Sequence, residues 1–277
     1  MVMAEVIRTI SVITPVFDGG HRHLGDAYES LAAQELPPGW TWEWHVQEDG
    51  SSGVPKNFLP SNDPRVSFGT GLAGGAGVAR TMALTRASGA AVRSLDADDL
   101  LLPGALARDI DCLDRVAWCV SAGLDLLPDG KTVPGPYDPP TGPLPSDLFY
   151  SEQSVNRLSV LATNFAAHTD LIWALGGWTA LTGAETIGLL LAAEAVTSGE
   201  FIAEPSMLYR KHSTQTTASE RYWDQDESDT RLTFVMERAK SLRDLGWQWV
   251  PKSLDADEDP ATLADVPSAG PPAGRPG

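Results

Sequence analysis

Residues 9–16, Thr-Ile-Ser-Val-Ile-Thr-Pro-Val, are dense in β-branched side chains and close at Pro15, the pattern of a central strand in an α/β sheet. After Asp18-Gly19-Gly20 the apolar positions take helical spacing, predicting an amphipathic helix over residues 24–36 that Pro37-Pro38-Gly39 ends. Trp40, Trp42, Trp44 and Val46 then alternate with polar partners, which is strand periodicity, and the strand runs into the acceptor-rich turn Glu48-Asp49-Gly50-Ser51-Ser52. A third short strand, residues 65–69, precedes a glycine-rich segment over 71–77 and a helix over 78–87 closing at Gly89. A fourth, residues 91–95, delivers Asp96-Ala97-Asp98-Asp99. This alternation of strands and helices predicts a largely parallel α/β sheet.

Beyond Pro103 the pattern thins. A helix is expected over residues 106–113 and a buried strand over 117–120. Residues 128–146, rich in proline and glycine, read as a long loop without periodicity. A strand follows over 162–169, then a short helix over 170–175 ending at Gly176-Gly177-Trp178, an apolar helix over 187–196, an edge strand over 201–204 and a charged amphipathic helix over 223–245. The chain divides into residues 1–121 and 122–250 as two halves of one domain, with 251–277, rich in Pro, Ala, Asp and Gly, as a disordered tail.

Composition narrows the function. With 20 Lys and Arg against 37 Asp and Glu, a formal net charge of −17, the chain has no basic surface to track a nucleic-acid backbone. A small anionic ligand stays accessible where one or two arginines and a metal ion meet it. Cys112 and Cys119 form no disulfide framework, and reduced thiols in a cytoplasmic protein are the expectation. Residues 1–8 carry no signal-peptide core and no apolar run reaches membrane-spanning length, so no integral membrane segment is expected.

The acidic cluster has two readings. It is a solvated turn in which Asp98 or Asp99 caps the next helix, or it is a hard-oxygen site for a divalent cation such as Mg²⁺ or Mn²⁺. Position favours the second, because ligands of open α/β sheets bind outside the carboxyl ends of the strands. The predicted strands bring Pro15 and Val16, Glu48 and Asp49, the glycine-rich turn and the acidic cluster to that one edge. The glycine-rich turn lacks the Lys-Ser/Thr ending of a P-loop and reads as a close-approach loop that delivers Arg80 towards a phosphate or a base. His45, on the polar face of its strand, reads as structural, and the three tryptophans as packing, with a sugar platform as the alternative.

Taken together, residues 9–103 resemble the nucleotide-sugar-binding half of family 2 glycosyltransferases. The resemblance rests on Ile10 to Pro15, on Glu48-Asp49-Gly50-Ser51, on Gly75-Ala76-Gly77-Val78-Ala79-Arg80, and on Leu95-Asp96-Ala97-Asp98-Asp99, in that order and spacing. It implies a single α/β domain of the GT-A type, Rossmann-like, with a mixed, mostly parallel sheet flanked by helices. It implies a metal-dependent transfer, with Mn²⁺ or Mg²⁺, of a sugar from a nucleotide diphosphate, a UDP-sugar first, to an acceptor hydroxyl with inversion. Pro15, Val16, Glu48, Asp49, Arg80, Asp96 and Ala97 would bind the donor and Asp98 the metal. Further on, Gly176-Gly177-Trp178 and Glu185 match the family, but Thr186 stands where many relatives carry the Asp assigned as general base, so Glu185 either takes that role or caps the N-terminus of its helix. Tyr209-Arg210-Lys211-His212 matches a segment in which the His completes the metal or diphosphate site. Two alternatives stay open: a nucleotidyltransferase, of whose basic N-terminal loop Asp18-Gly19-Gly20-His21-Arg22 is a poor version, and a nucleotide-sugar-binding protein without catalysis.

Overall fold

A computed structural model describes residues 7–17, 19–135, 138–213, 215 and 220–250, without the side chains of residues 220 and 221. The expected tail, 251–277, and most of 214–219 lie outside the described residues.

The β-branched N-terminal run forms β1 (Arg8–Val16), and the alternating tryptophan segment forms β2 (Trp40–Glu48) beside it. With β3 (Val66–Gly69) and β4 (Ala91–Ser94) they make the parallel set β3-β2-β1-β4. β9 (Phe165–His168) then runs antiparallel to both β4 and β6 (Trp118–Leu126), so β6 points the same way as β4. β10 (Gly199–Arg210) pairs parallel with β6. The full order is β3-β2-β1-β4-β9-β6-β10-β5, where β5 is Leu100–Leu101. All the long strands therefore end at one edge, as a mixed, mostly parallel sheet requires.

Side chains leave the sheet alternately. Val12, Trp42, Trp44, Cys119 and Ala166 face α1 (Leu24–Ala32) and α3 (Ala105–Leu113). Ile13, Trp118, Val120, Phe165 and Ala167 face the other layer. That layer is built from α2 (Ala76–Leu84), α4 (Leu148–Ser154), α5 (Thr169–Ala174), α6 (Glu185–Val196) and α7 (Gln225–Asp244). The tryptophans of β2 are core: Trp44 is fully buried, stacks on Tyr28 of α1 with centroids 6.1 Å apart and donates from Nε1 to Thr14 Oγ1 at 2.8 Å. No sugar platform exists there. His45 is structural, with Nδ1 2.6 Å from Ser67 Oγ and Nε2 3.1 Å from Glu43.

Three elements differ from expectation. The first helix stops at Ala32, four residues early, its end closing as Ala33 N donates to the Glu29 carbonyl and Gln34 N to the Leu31 carbonyl. The segment 201–204 is no separate edge strand: it lies inside β10, where Phe201 and Ile202 pair with β6, Phe201 also pairs with β8 (Gly142–Pro143), and pairing with β6 resumes at Met207. The proline-rich loop is pinned at two places, by β7 (Thr132–Pro134) on β6 and by β8 on β10. The junction expected between residues 121 and 122 falls inside β6, so both halves share that strand.

Candidate active site

At the carboxyl edge of the sheet lies a cavity of about 560 Å³, within the range of roughly 300–1,000 Å³ typical of small-molecule sites. Of the residues singled out in the sequence, Pro15, Val16, Asp49, Arg80, Asp96, Ala97, Asp98, Glu185 and His212 all line it. Glu48 does not.

Glu48 ends a strand whose last five side chains are all buried, and its carboxylate turns back into its own turn. Oε1 accepts from Ser52 N at 2.8 Å and Ser52 Oγ at 2.7 Å, and Oε2 from Gly53 N at 2.8 Å. Burial pushes this carboxyl up, yet those three donors outweigh it and hold it below the ordinary range. Both oxygens are engaged, so Glu48 shapes the turn. Asp49 Oδ1 accepts from Gly74 N at 2.7 Å and Gly75 N at 2.9 Å, which ties the glycine-rich loop across the strand end. Gly75, at φ +91° before α2, takes a conformation that favours glycine.

The glycines of that loop serve a close approach. A Cβ on Gly77 would stand 2.1 Å from the Thr179 carbonyl and 3.0 Å from Glu185 Cβ, so α2 lies directly against the turn leading into α6. That contact carries Arg80 between two carboxylates. Its Nη2 donates to Asp96 Oδ1 at 2.5 Å and its Nη1 to Glu185 Oε1 at 2.6 Å, with the arginine only 4% exposed. Burial disfavours the guanidinium charge, but the Asp96 and Glu185 charges more than offset it and keep Arg80 firmly cationic. The other Asp96 oxygen accepts from Thr163 Oγ1 at 3.0 Å, a partner the sequence did not signal. Among the described residues Glu185 Oε2 accepts no hydrogen bond. Ala184, immediately before Glu185, holds φ +60° without being glycine, a conformation that costs about 1 kcal/mol. Thr186 is buried and its hydroxyl is no proton acceptor at neutral pH.

The acidic loop is clasped by the end of β10. Arg210 donates its backbone N–H to Asp99 Oδ1 at 2.9 Å, its Nε to the Asp98 carbonyl at 2.8 Å and its Nη2 to Asp26 at 2.9 Å. Asp99 is fully buried with Oδ2 unpartnered; burial, then the charges of Asp96 and Asp98, push its carboxyl well above the ordinary carboxylate range. Asp98 and His212 remain partly exposed to the cavity, with Oδ2 and Nε2 2.7 Å apart. No group of three or more His, Cys, Asp or Glu side chains suited to a metal ion occurs among the described residues. Arg22, named in the sequence only as part of a poor basic N-terminal loop, also lines the cavity, as do His23, Phe17 and Tyr222, which no motif signalled. The first three belong to the irregular turn after β1, where periodicity carries no information.

The sheet order and helix layers are those of a GT-A-type fold, with the cavity at the carboxyl edge of the sheet. Solved structures carry the same architecture: residues 1–349 of Staphylococcus aureus TarS in complex with UDP-GlcNAc superpose with a TM-score of 0.63 at 18% identity, covering 84% of this chain and 73% of that one. The same protein in complex with UDP gives 0.58 at 19% identity over 84% and 72%. No protein-family model and no curated protein matches the chain. At such identities the likeness is one of fold. No helix among the described residues is long and apolar enough to cross a membrane.

Proposed function

We propose that this chain is a glycosyltransferase of the hexosyltransferase type, moving a sugar from a nucleotide-diphosphate donor, a UDP-sugar, to an acceptor hydroxyl with inversion. The observation that carries the reading is the convergence in one cavity of Asp49, the Asp96–Asp98 loop, His212 and Glu185 from four separate segments. The similar TarS fold, solved with UDP-GlcNAc and with UDP, supports the same donor class.

Asp98 and His212 are the residues to hold Mn²⁺ or Mg²⁺: one carboxylate oxygen and one imidazole nitrogen, 2.7 Å apart and facing the cavity, leave positions for phosphate oxygens and water, as is usual for such ions. A cation held there would supply Lewis-acid charge against the diphosphate leaving group. Asp49, with Oδ1 spent on the loop, offers Oδ2 to a base N–H or ribose hydroxyl. Glu185 takes the acceptor proton on Oε2 while the acceptor oxygen bonds to the anomeric carbon and the bond from that carbon to the diphosphate breaks. Arg80 orients Glu185 and Asp96, giving one N–H of each terminal nitrogen to a carboxylate and keeping the second N–H of each.

One observation favours a second reading, donor binding without turnover: Thr186 replaces the expected base and Glu185 is held by Arg80. The test serves both. In a thermal-shift and calorimetric screen of nucleotide diphosphates and their sugars, UDP-sugars with Mn²⁺ should stabilise the protein, and Asp98→Ala should abolish the metal-dependent part. Unchanged UDP affinity in that variant rejects the metal assignment. Glu185→Gln should keep donor binding and lose donor cleavage by about a hundredfold or more. If the native chain cleaves no UDP-sugar, the binding-only reading stands.

A further inference from the structure

A short turn of helix, His21–His23, joins β1 to α1 and gives Arg22 and His23 to the cavity lining. Both neighbours of Arg22 are fixed by ring contacts. His21 packs on Phe58 with centroids 4.4 Å apart, and the His23 ring lies 5.7 Å from that of His212. Leu24, the next residue, is fully buried. Arg22 is the exposed member of the turn, and among the described residues its guanidinium makes no hydrogen bond or ion pair. Asp26, four positions on, is the usual helical partner for such a cation. It pairs instead with Arg210 at 2.9 Å and lies 3.6 Å from His23 Nδ1.

A free guanidinium matters here because the rest of the cavity is acidic. Asp49, Asp96, Asp98 and Glu185 bring four carboxylates to the lining. Among the described residues Arg80 is the only other Lys or Arg there, and it is paired with two of them. Even with a divalent cation on Asp98 and His212, those carboxylates exceed the positive charge of Arg80 and the cation together. A diphosphate brings further negative charge into that space and would be repelled. Resting on the glycosyltransferase reading, we infer that Arg22 is a diphosphate-binding residue, the cation that meets the donor's phosphates from the turn between β1 and α1. Through His23 that turn reaches His212, whose Nε2 is 2.7 Å from Asp98, so Arg22 is carried beside the pair proposed for the cation. A guanidinium is planar, stays charged and matches two phosphate oxygens at once. The two arginines then divide the work: Arg80, buried, holds carboxylates, and Arg22, exposed, is left for the ligand.

Calorimetry on the full chain with Mg²⁺ tests this with UDP, uridine and inorganic pyrophosphate as probes. Arg22→Ala should weaken UDP and pyrophosphate by about tenfold or more, the loss of a charge-assisted contact, and hold uridine within about twofold. Raising NaCl from about 50 to about 300 mM should weaken UDP more in the native chain than in Arg22→Ala, because salt screens the charge pair. Arg22 is exposed and unpartnered, so the variant should melt within about 2 °C of the native chain and a folding defect cannot imitate the loss. The assignment is overturned if Arg22→Ala leaves UDP and pyrophosphate affinity unchanged, or if uridine weakens as much as UDP. Pyrophosphate separates it from the donor reading. Arg22-dependent binding of pyrophosphate without binding of UDP upholds Arg22 as the phosphate contact and overturns the nucleotide donor, and binding of neither overturns both.

Discussion

Arg80 shows how little a side chain's type says until its neighbours are known. In the sequence it is a cation one turn into a helix after a glycine-rich loop, suited to a phosphate; in the fold it is buried between Asp96 and Glu185. Lysine at this position keeps the charge but cannot reach both carboxylates with a two-armed fork. Arg80→Lys should therefore lower kcat at least tenfold while the donor KM moves by less than about threefold, because a misaimed base slows only the chemical step. Steady-state kinetics decide it: a rise in donor KM with kcat intact returns Arg80 to direct donor contact. Glu48 and Asp49 teach the complementary lesson. Both are carboxylates at one strand end, and only the burial of that end separates a turn-builder from a cavity residue. Asp98 and His212 lie 114 positions apart in sequence, and a motif linked them only because each sits at the end of a strand with a recognisable pattern.

Strands were legible almost to the residue where β-branched or alternating runs made them, and helix ends were less so, since an apolar stripe does not report where capping stops. Contacts between elements that no motif covers were not legible. Glu194 of α6 is such a contact: its oxygens accept from Phe149 N at 2.8 Å and Tyr150 N at 2.9 Å, capping α4 from a helix 45 residues on. Burial raises its carboxyl to about 7, the two backbone donors lowering it only in part. The sign follows from proton binding: between the unfolded value near 4.5 and about 7 the folded protein holds a proton that the unfolded chain has released, so this group's stabilising contribution is full below 4.5 and is lost as pH rises through 7. The loss amounts to about 2 kcal/mol after allowance for partial exposure. Glu194→Gln cannot ionise. Urea denaturation at pH 4.5 and pH 8 should find the variant's deficit smaller at pH 8, and an equal deficit at both would remove Glu194 as the source.

The two halves of the chain share more than a sheet. Arg93 of β4 and Asp109 of α3 are both fully buried and paired at 2.9 Å, and Arg93 also donates to Asn164, whose amide donates to the Ser121 and Ala122 carbonyls of β6 at 2.6 and 2.7 Å. β4, α3, Asn164 and β6 therefore meet at one polar knot inside the core. Burial pushes the Asp109 carboxyl up more than the Arg93 charge brings it down, so desolvation is not fully repaid and the pair adds little net stability. What it does is make the halves depend on one another. Asp109→Ala leaves a bare guanidinium in the core and should cost about 3–5 kcal/mol. Joining it to the loss of the charge, as Arg93→Met with Asp109→Leu, should recover at least half of that. Recovery falls short by about 1–2 kcal/mol, because Asn164 then loses its buried donor. Because the knot spans the sheet, tryptophan fluorescence and far-UV circular dichroism should report one coincident unfolding transition for the native chain, and two separated transitions in Asp109→Ala would show that this pair fastens the halves. A single-variant cost below about 1 kcal/mol, or a double variant worse than the single, would mean that the core tolerates the unpaired charge and that the halves are joined by hydrophobic packing alone.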